Sequence, residues 1–139
     1  MDFSAINWLA VVVSVVASII IGSIWYHPAV FFKPWLATLG RKYEDRPQGG
    51  GESMVGLYAF TIVASAVEAT ALALVLNTLG VKGAGAGVAA GFMIWLGFVA
   101  PTNLVNKLFS GQGWKGWLIE AGEHLVYLLV AGAIIGAWH

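Results

Sequence analysis

Five residues with chemistry to offer lie in stretches that are otherwise apolar. Glu120, Glu123, His124 and Tyr127 follow one another at helical spacings, and Glu68 stands alone in a separate apolar run. Positions i, i+3, i+4 and i+7 share one face of a helix, so the first four form a single polar stripe about 100° wide. A carboxyl and an imidazole side by side can share a proton, or hold a cation between them. Carboxylate and imidazole at i, i+3 and i+4 also resemble half of a carboxylate-bridged metal site, which would enlist Glu120, Glu123 and His124. One helix supplies too few ligands to make such a site selective. A third reading is structural: the groups satisfy one another, or pair with Asn103 and Asn106, and so hold helices together.

The stretches that carry these residues are long enough to cross a membrane. Of 139 residues, 59% are apolar and 10% charged, where a soluble domain carries about a quarter charged. No charge occurs between Asp2 and Lys33, only Glu68 between Glu52 and Lys82, none between Lys82 and Lys107, and only Glu120 and Glu123 after Lys115. Each window holds about 20 or more mostly apolar residues, enough for roughly 30 Å of hydrocarbon. The expected architecture is all-α: an integral membrane four-helix bundle in a single transmembrane domain over 1–139. Its spans fall near 6–27, 54–79, 86–108 and 117–138, with a loop at 28–53. The first span lacks a basic leading segment and is longer than a signal-peptide core, so it reads as a retained helix.

Six of the seven basic residues, Lys33, Arg41, Lys42, Arg46, Lys107 and Lys115, fall in the loops after spans one and three. Basic loops stay in the cytoplasm, so both termini are expected outside. Trp25, Tyr26, Trp35, Tyr58, Trp114 and Trp117 then form an inner aromatic belt, Trp8 and Trp138 an outer one, and Trp95 packs mid-membrane. In the long loop, Phe31, Phe32, Trp35, Leu36 and Leu39 fall on roughly one helical face. That fits a short interfacial helix begun or kinked by Pro34, or an irregular aromatic anchor. Residues 41–53 are polar and Gly-rich and read as a linker.

Depth follows from about 1.5 Å of rise per residue. Glu68 lies near the midplane, His124 about 6 Å to the cytoplasmic side, Glu123 slightly farther and Glu120 about 12 Å. Asn103 and Asn106 lie at similar depths, and His27 ends span one on the same side. The outer half of the spans is Val, Ile, Leu, Ala and Gly, which argues against a permanently open pore. A membrane ionisable group is costly and should face the bundle or a wet cavity. Glu68, Glu120, Glu123, His124, Tyr127 and Asn103 are therefore the candidate ligand- or proton-binding residues of a cytoplasm-facing pocket.

Small residues recur every four positions: Gly83, Gly87 and Gly91 into span three, Gly132 and Gly136 in span four, Ser14, Ser18 and Gly22 in span one, and Ser65, Ala69 and Ala73 in span two. Such ridges let helices approach closely. On span four the glycine edge points away from the polar stripe, so one face is free to serve the bundle and the other a neighbouring subunit or another membrane protein. The expected partners are thus the lipid bilayer and a second copy of the chain or another membrane protein.

No cysteine is present and net charge is zero, which excludes disulfides and thiolate metal sites and gives no basic patch for nucleic acid. No nucleotide-binding, metalloprotease or serine-hydrolase motif occurs, and Ser110 in SGQGWKG has no evident base. The sequence therefore points to no cofactor and no enzyme. The two functions in view are a proton- or cation-linked small-solute binding or transport protein, and an accessory or scaffold protein acting through its Gly-rich faces.

Two stretches carry a family likeness. GSIWYHPAVFFKPW at 22–35 follows NWLA at 7–10, and WLGFV at 95–99 precedes a last span containing AGEHLVYLLVAGAIIGAW. Together they resemble the bacterial membrane family called domain of unknown function 1761. Trp25, Tyr26, Pro28, Phe31 and Trp35 are its most specific piece. The resemblance runs through all four spans and implies the four-span architecture and a multi-pass protein of the bacterial cytoplasmic membrane. It brings no activity. His27, Glu120 and Glu123 depart from the family pattern, where a small polar residue, Asn and Tyr are usual, whereas His124 matches.

The orientation is open to a direct check. In an otherwise cysteine-free chain, Ser110→Cys should react with a membrane-impermeant thiol reagent only after permeabilisation. Lys82→Cys should react in intact cells, and the opposite pattern refutes the assignment.

Overall fold

The computed structural model describes residues 1–45 and 54–138. The helices in chain order are α1 (Trp8–Trp25), α2 (Phe32–Thr38), α3 (Met54–Thr78), α4 (Ala84–Ile94), α5 (Ala100–Phe109) and α6 (Gly113–Ala137). A π-helical turn, Trp95–Val99, joins α4 to α5. Four helical stretches are long and apolar enough to span a membrane: α1, α3, α4 through α5, and α6. Their ends agree with the sequence expectation to within about one helical turn. The larger part of the polar linker, 46–53, lies outside the described residues.

Local chemistry explains the boundaries. The Asn7 side chain accepts from the backbone N–H groups of Leu9 and Ala10 and so caps α1. Pro28 disfavours helix in the residue before it, and α1 stops at Trp25. In the third span Pro101 has no N–H to give and its ring crowds the carbonyl four residues back. The helix widens just before it, where the Ala100 N–H reaches Trp95 O instead.

The loop after α1 holds the short helix α2. Its aromatic face turns into the protein. Leu36 is buried, the Phe32 and Trp35 rings stack at 5.9 Å, and Trp35 meets Tyr26 edge-on at 5.8 Å. Both sequence readings of this segment are partly met: it is helical, and its aromatics anchor it to the bundle.

Helix α6 is the centre of the bundle and contacts every other helix. Its tightest partner is α4. A Cβ added at Gly87 or Gly91 would overlap the carbonyls of Gly132 or Leu128, and one at Gly132 would overlap the Gly87 carbonyl. At Gly136 it would come within 2.6 Å of Gly83 O. Gly83 adopts φ +94°, a conformation open to glycine, and its N–H donates to Gly136 O at 2.6 Å. The glycine edge of the last span is thus packed against α4 of the same chain, so these glycines serve the internal bundle, one of the two uses the sequence left open. Close backbone approach increases dispersion contact, the main source of helix association where lipid is as apolar as the side chains.

The end holding the termini is dry and tightly packed. Ile6, Ala10, Val11, Ala69, Leu72, Ala73, Leu76, Leu128, Ala131 and Ile135 form its core. Asn7 donates to Trp138 O (3.1 Å) and Asn77 to Ala5 O (3.0 Å), tying the ends of α1, α3 and α6 together. The opposite, basic end is looser. From Val55 to Ala64 no residue of α3 is buried, and burial begins at Ser65.

The glycine seam is testable by methyl addition. Gly87→Ala should destabilise the bundle by about 1–3 kcal/mol, read as a drop in unfolding midpoint in detergent. Gly85→Ala, whose Cβ meets nothing within 4 Å, should leave the midpoint unchanged or raised.

Candidate functional site

At the basic end, α1, α3 and α6 part around a cavity of about 780 Å³. Glu68, Glu123, His124 and Tyr127 line its inner part, and Tyr26, His27, Phe32 and Tyr58 line its mouth. The hydroxyls of Ser18 and Ser65 meet at 2.8 Å where α1 and α3 close together. Below them the dry core begins, so the cavity opens toward the basic end and laterally but not through the bundle.

The geometry divides the predicted polar stripe in two. Glu123 and His124 face each other, with Oε2 3.5 Å from Nδ1. Gly22 of α1 leaves room for the Glu123 carboxyl, whose Oε1 would lie 3.9 Å from an added Cβ. Glu68, on α3, lines the same cavity as Glu123 and His124. Tyr127 is 2% exposed, and its hydroxyl has no hydrogen-bond partner among the described residues.

Glu120 goes elsewhere. One turn nearer the basic end, it is level with cations and indoles that the deeper residues cannot reach. Its Oε2 pairs with Lys107 Nζ at 2.7 Å, and its Oε1 accepts from the Trp35 indole at 2.9 Å. Asn103 adds a longer contact of 3.5 Å. Lys107 also donates to Gln112 (2.8 Å), and Gln112 donates to Thr38 (3.3 Å). This network fastens α2, α5 and the start of α6. Asn106 is exposed and takes no part through its side chain.

Two expectations are corrected here. Glu120 and Asn103 do not line the cavity; Lys107 pairs with Glu120 outside it, and Asn103 contacts the same carboxylate. Glu120, Glu123 and His124 do not converge as a ligand set, and among the described residues no group of three or more acidic or imidazole side chains is placed to hold a metal ion.

Three further indoles brace the same stretch. Trp25 donates to Ile119 O (2.8 Å), Trp95 to Ala121 O (2.7 Å), and Trp117 to Ala100 O (2.9 Å). With Trp35 on Glu120, the turn 119–121 is gripped from α1, α2 and the π turn. That fixes the rotation of α6, and hence the direction in which Glu123 and His124 leave it.

Sequence reasoning missed the Lys107–Glu120 pair, although both residues were visible at matching depths on adjacent spans; Lys107 had counted only as a loop charge. It missed Ser18, Ser65, Tyr58 and Thr61 as cavity residues. The first two had read as packing positions, and nothing in their spacing marks a cavity.

The chain matches, over residues 9–136, the family described as Protein of unknown function (DUF1761). It belongs to that family. The match covers nearly the whole DUF1761 fold described above, including the aromatic loop and the π turn WLGFV. Comparison with curated proteins and with solved structures found no match.

The ion pair makes a clear prediction. Lys107→Met leaves Glu120 without its cation and should cost roughly 3–5 kcal/mol of stability. The double variant Lys107→Met/Glu120→Gln should recover most of it. Equal losses in single and double variants would show that the pair does not stabilise the bundle.

Proposed function

We propose that this protein binds a small solute in the cavity between α1, α3 and α6, with binding linked to protonation of Glu68 and Glu123, and that it is a binding or transport protein rather than an enzyme. The observation that carries this is the convergence of Glu68 with Glu123 and His124 on an open cavity, beside the unpartnered Tyr127 hydroxyl. Acidic groups kept only for helix association would pair off with a cation of a neighbouring helix, as Glu120 does with Lys107. Membrane carboxyls that face a cavity suit proton or cation handling. The volume falls within the roughly 300–1,000 Å³ of small-molecule sites.

In this reading the basic loops are cytoplasmic, the membrane is the bacterial cytoplasmic membrane, and the cavity opens inward. The packed end forms the closed gate of one state in an alternating cycle. The scaffold reading loses support, because the Gly87–Gly132 faces it relied on pack against each other.

Thermal stability in the presence of choline, putrescine, glucose and glutamate, measured from pH 5 to 9, tests the proposal. At least one solute should raise the unfolding midpoint of the wild type, with the effect weakening as pH falls and protons compete for the carboxyls. Glu68→Gln/Glu123→Gln should abolish that shift. A wild type indifferent to all four, or a double variant that responds equally, overturns the reading.

A further inference from the structure

The cavity itself states which solute it suits. We propose that its ligand is an amphiphilic organic cation, a protonated amine on an apolar body. This deepens the preceding reading and rests on it.

Charge selects first. Among the described residues that line the cavity there is no lysine or arginine, while two carboxyl groups, Glu68 and Glu123, face it. Lys107 is held by Glu120, and Lys33, next to Phe32 at the mouth, has its Nζ over the Tyr43 ring. An anionic solute would lose its hydration shell and meet no permanent counter-charge, only the imidazoles of His27 and His124 beside two carboxyls; a cation replaces water with carboxylate oxygens.

Hydrogen bonding selects second. Tyr127 is 2% exposed and its hydroxyl is unpartnered, although a buried hydroxyl ordinarily finds a partner. An ammonium N–H is a donor of the kind that the phenol oxygen, the Glu68 and Glu123 carboxyls and the Ser65 hydroxyl can jointly accept. A quaternary ammonium offers none.

The walls select third. Tyr26, Phe32 and Tyr58 stand at the mouth, where ring faces attract an approaching cation and pack against an apolar body. The half of α3 beside the cavity, Val55–Ala64, has no buried residue, so one side opens onto the hydrocarbon. An apolar tail can lie across that opening while the amine reaches the carboxyls. A small hydrated cation gains nothing from such a wall.

Binding exchanges one ammonium charge for one proton released from a carboxyl to the basic-end water. The titratable groups facing Glu68 and Glu123 are His124 and Tyr127 on α6, Tyr26 and His27 at the end of α1, and Tyr58 on α3; the Glu120–Lys107 pair lies one turn away.

The test is calorimetric titration of the full chain in nanodiscs with 4-phenylbutylammonium, its N-trimethyl form, 4-phenylbutanol and 5-phenylvalerate. The primary ammonium should bind saturably, at least about tenfold tighter than the alcohol, as expected for a hydrogen bond to a charged group, and the carboxylate should not bind. Glu68→Gln should weaken the ammonium by about tenfold or more and leave the alcohol unchanged. Tyr127→Phe, which removes one oxygen and keeps the packing, should weaken the primary ammonium severalfold and spare the trimethyl form. Equal binding of alcohol or carboxylate in the wild type overturns the assignment whatever the variants do. If no phenylalkyl probe binds while glucose or glutamate still stabilises the chain through Glu68, the cation assignment fails and the cavity reading stands. If nothing binds, both fail.

Discussion

The bundle is organised by one close approach of backbone to backbone. Where α4 crosses α6, Gly87 and Gly91 leave no room for even a methyl group against the Gly132 and Leu128 carbonyls. In lipid, helices gain little by hiding apolar side chains, so contact between main chains becomes a leading source of cohesion. This seam places α6 in the middle, with α1 and α5 on its remaining faces. It also leaves α3 at the periphery, joined to the rest mainly through its second half.

That division separates two fates for membrane carboxyls. Glu120 lies where α2, α5 and α6 meet, and it receives a cation, an indole and an amide there. Desolvation is offset by dense pairing, and the result is a rigid joint. Glu68 and Glu123 lie where α3 departs from the bundle, and the His124 imidazole is the partner that the site provides. One protein thus holds the same functional group in an ion-paired setting and in a cavity wall, about one helical turn apart.

The spans were legible because charge spacing and hydropathy are set by the bilayer, whereas the π turn before Pro101, inside the third span, was not read. The polar stripe was legible as a helical face. Its division was not, because a helical wheel records direction and not reach: Glu120 and Glu123 differ in what lies opposite them at each depth. The glycine ridges were legible as contact surfaces, while the identity of the contacting helix was not, since Gly87 would pack as well against a second chain as against Gly132. The pocket was legible through its ionisable residues, but its open wall was not, for a related reason. It is formed by the absence of packing along Val55–Ala64, and those residues are as apolar as packed ones.

The π turn at Trp95–Val99 has a geometric consequence. Over a regular helix, Asn103 would lie about 120° around the axis from Gly91, and Lys107 about 160°. One residue absorbed in a wider turn subtracts about 100°, bringing Asn103 to about 20° and Lys107 to about 60° from the glycine edge. The turn acts as a phase shifter. It lets a single transmembrane segment present glycine to α6 along its first half and charge to the same helix along its second. Without it, the lysine that neutralises Glu120 would be directed toward lipid.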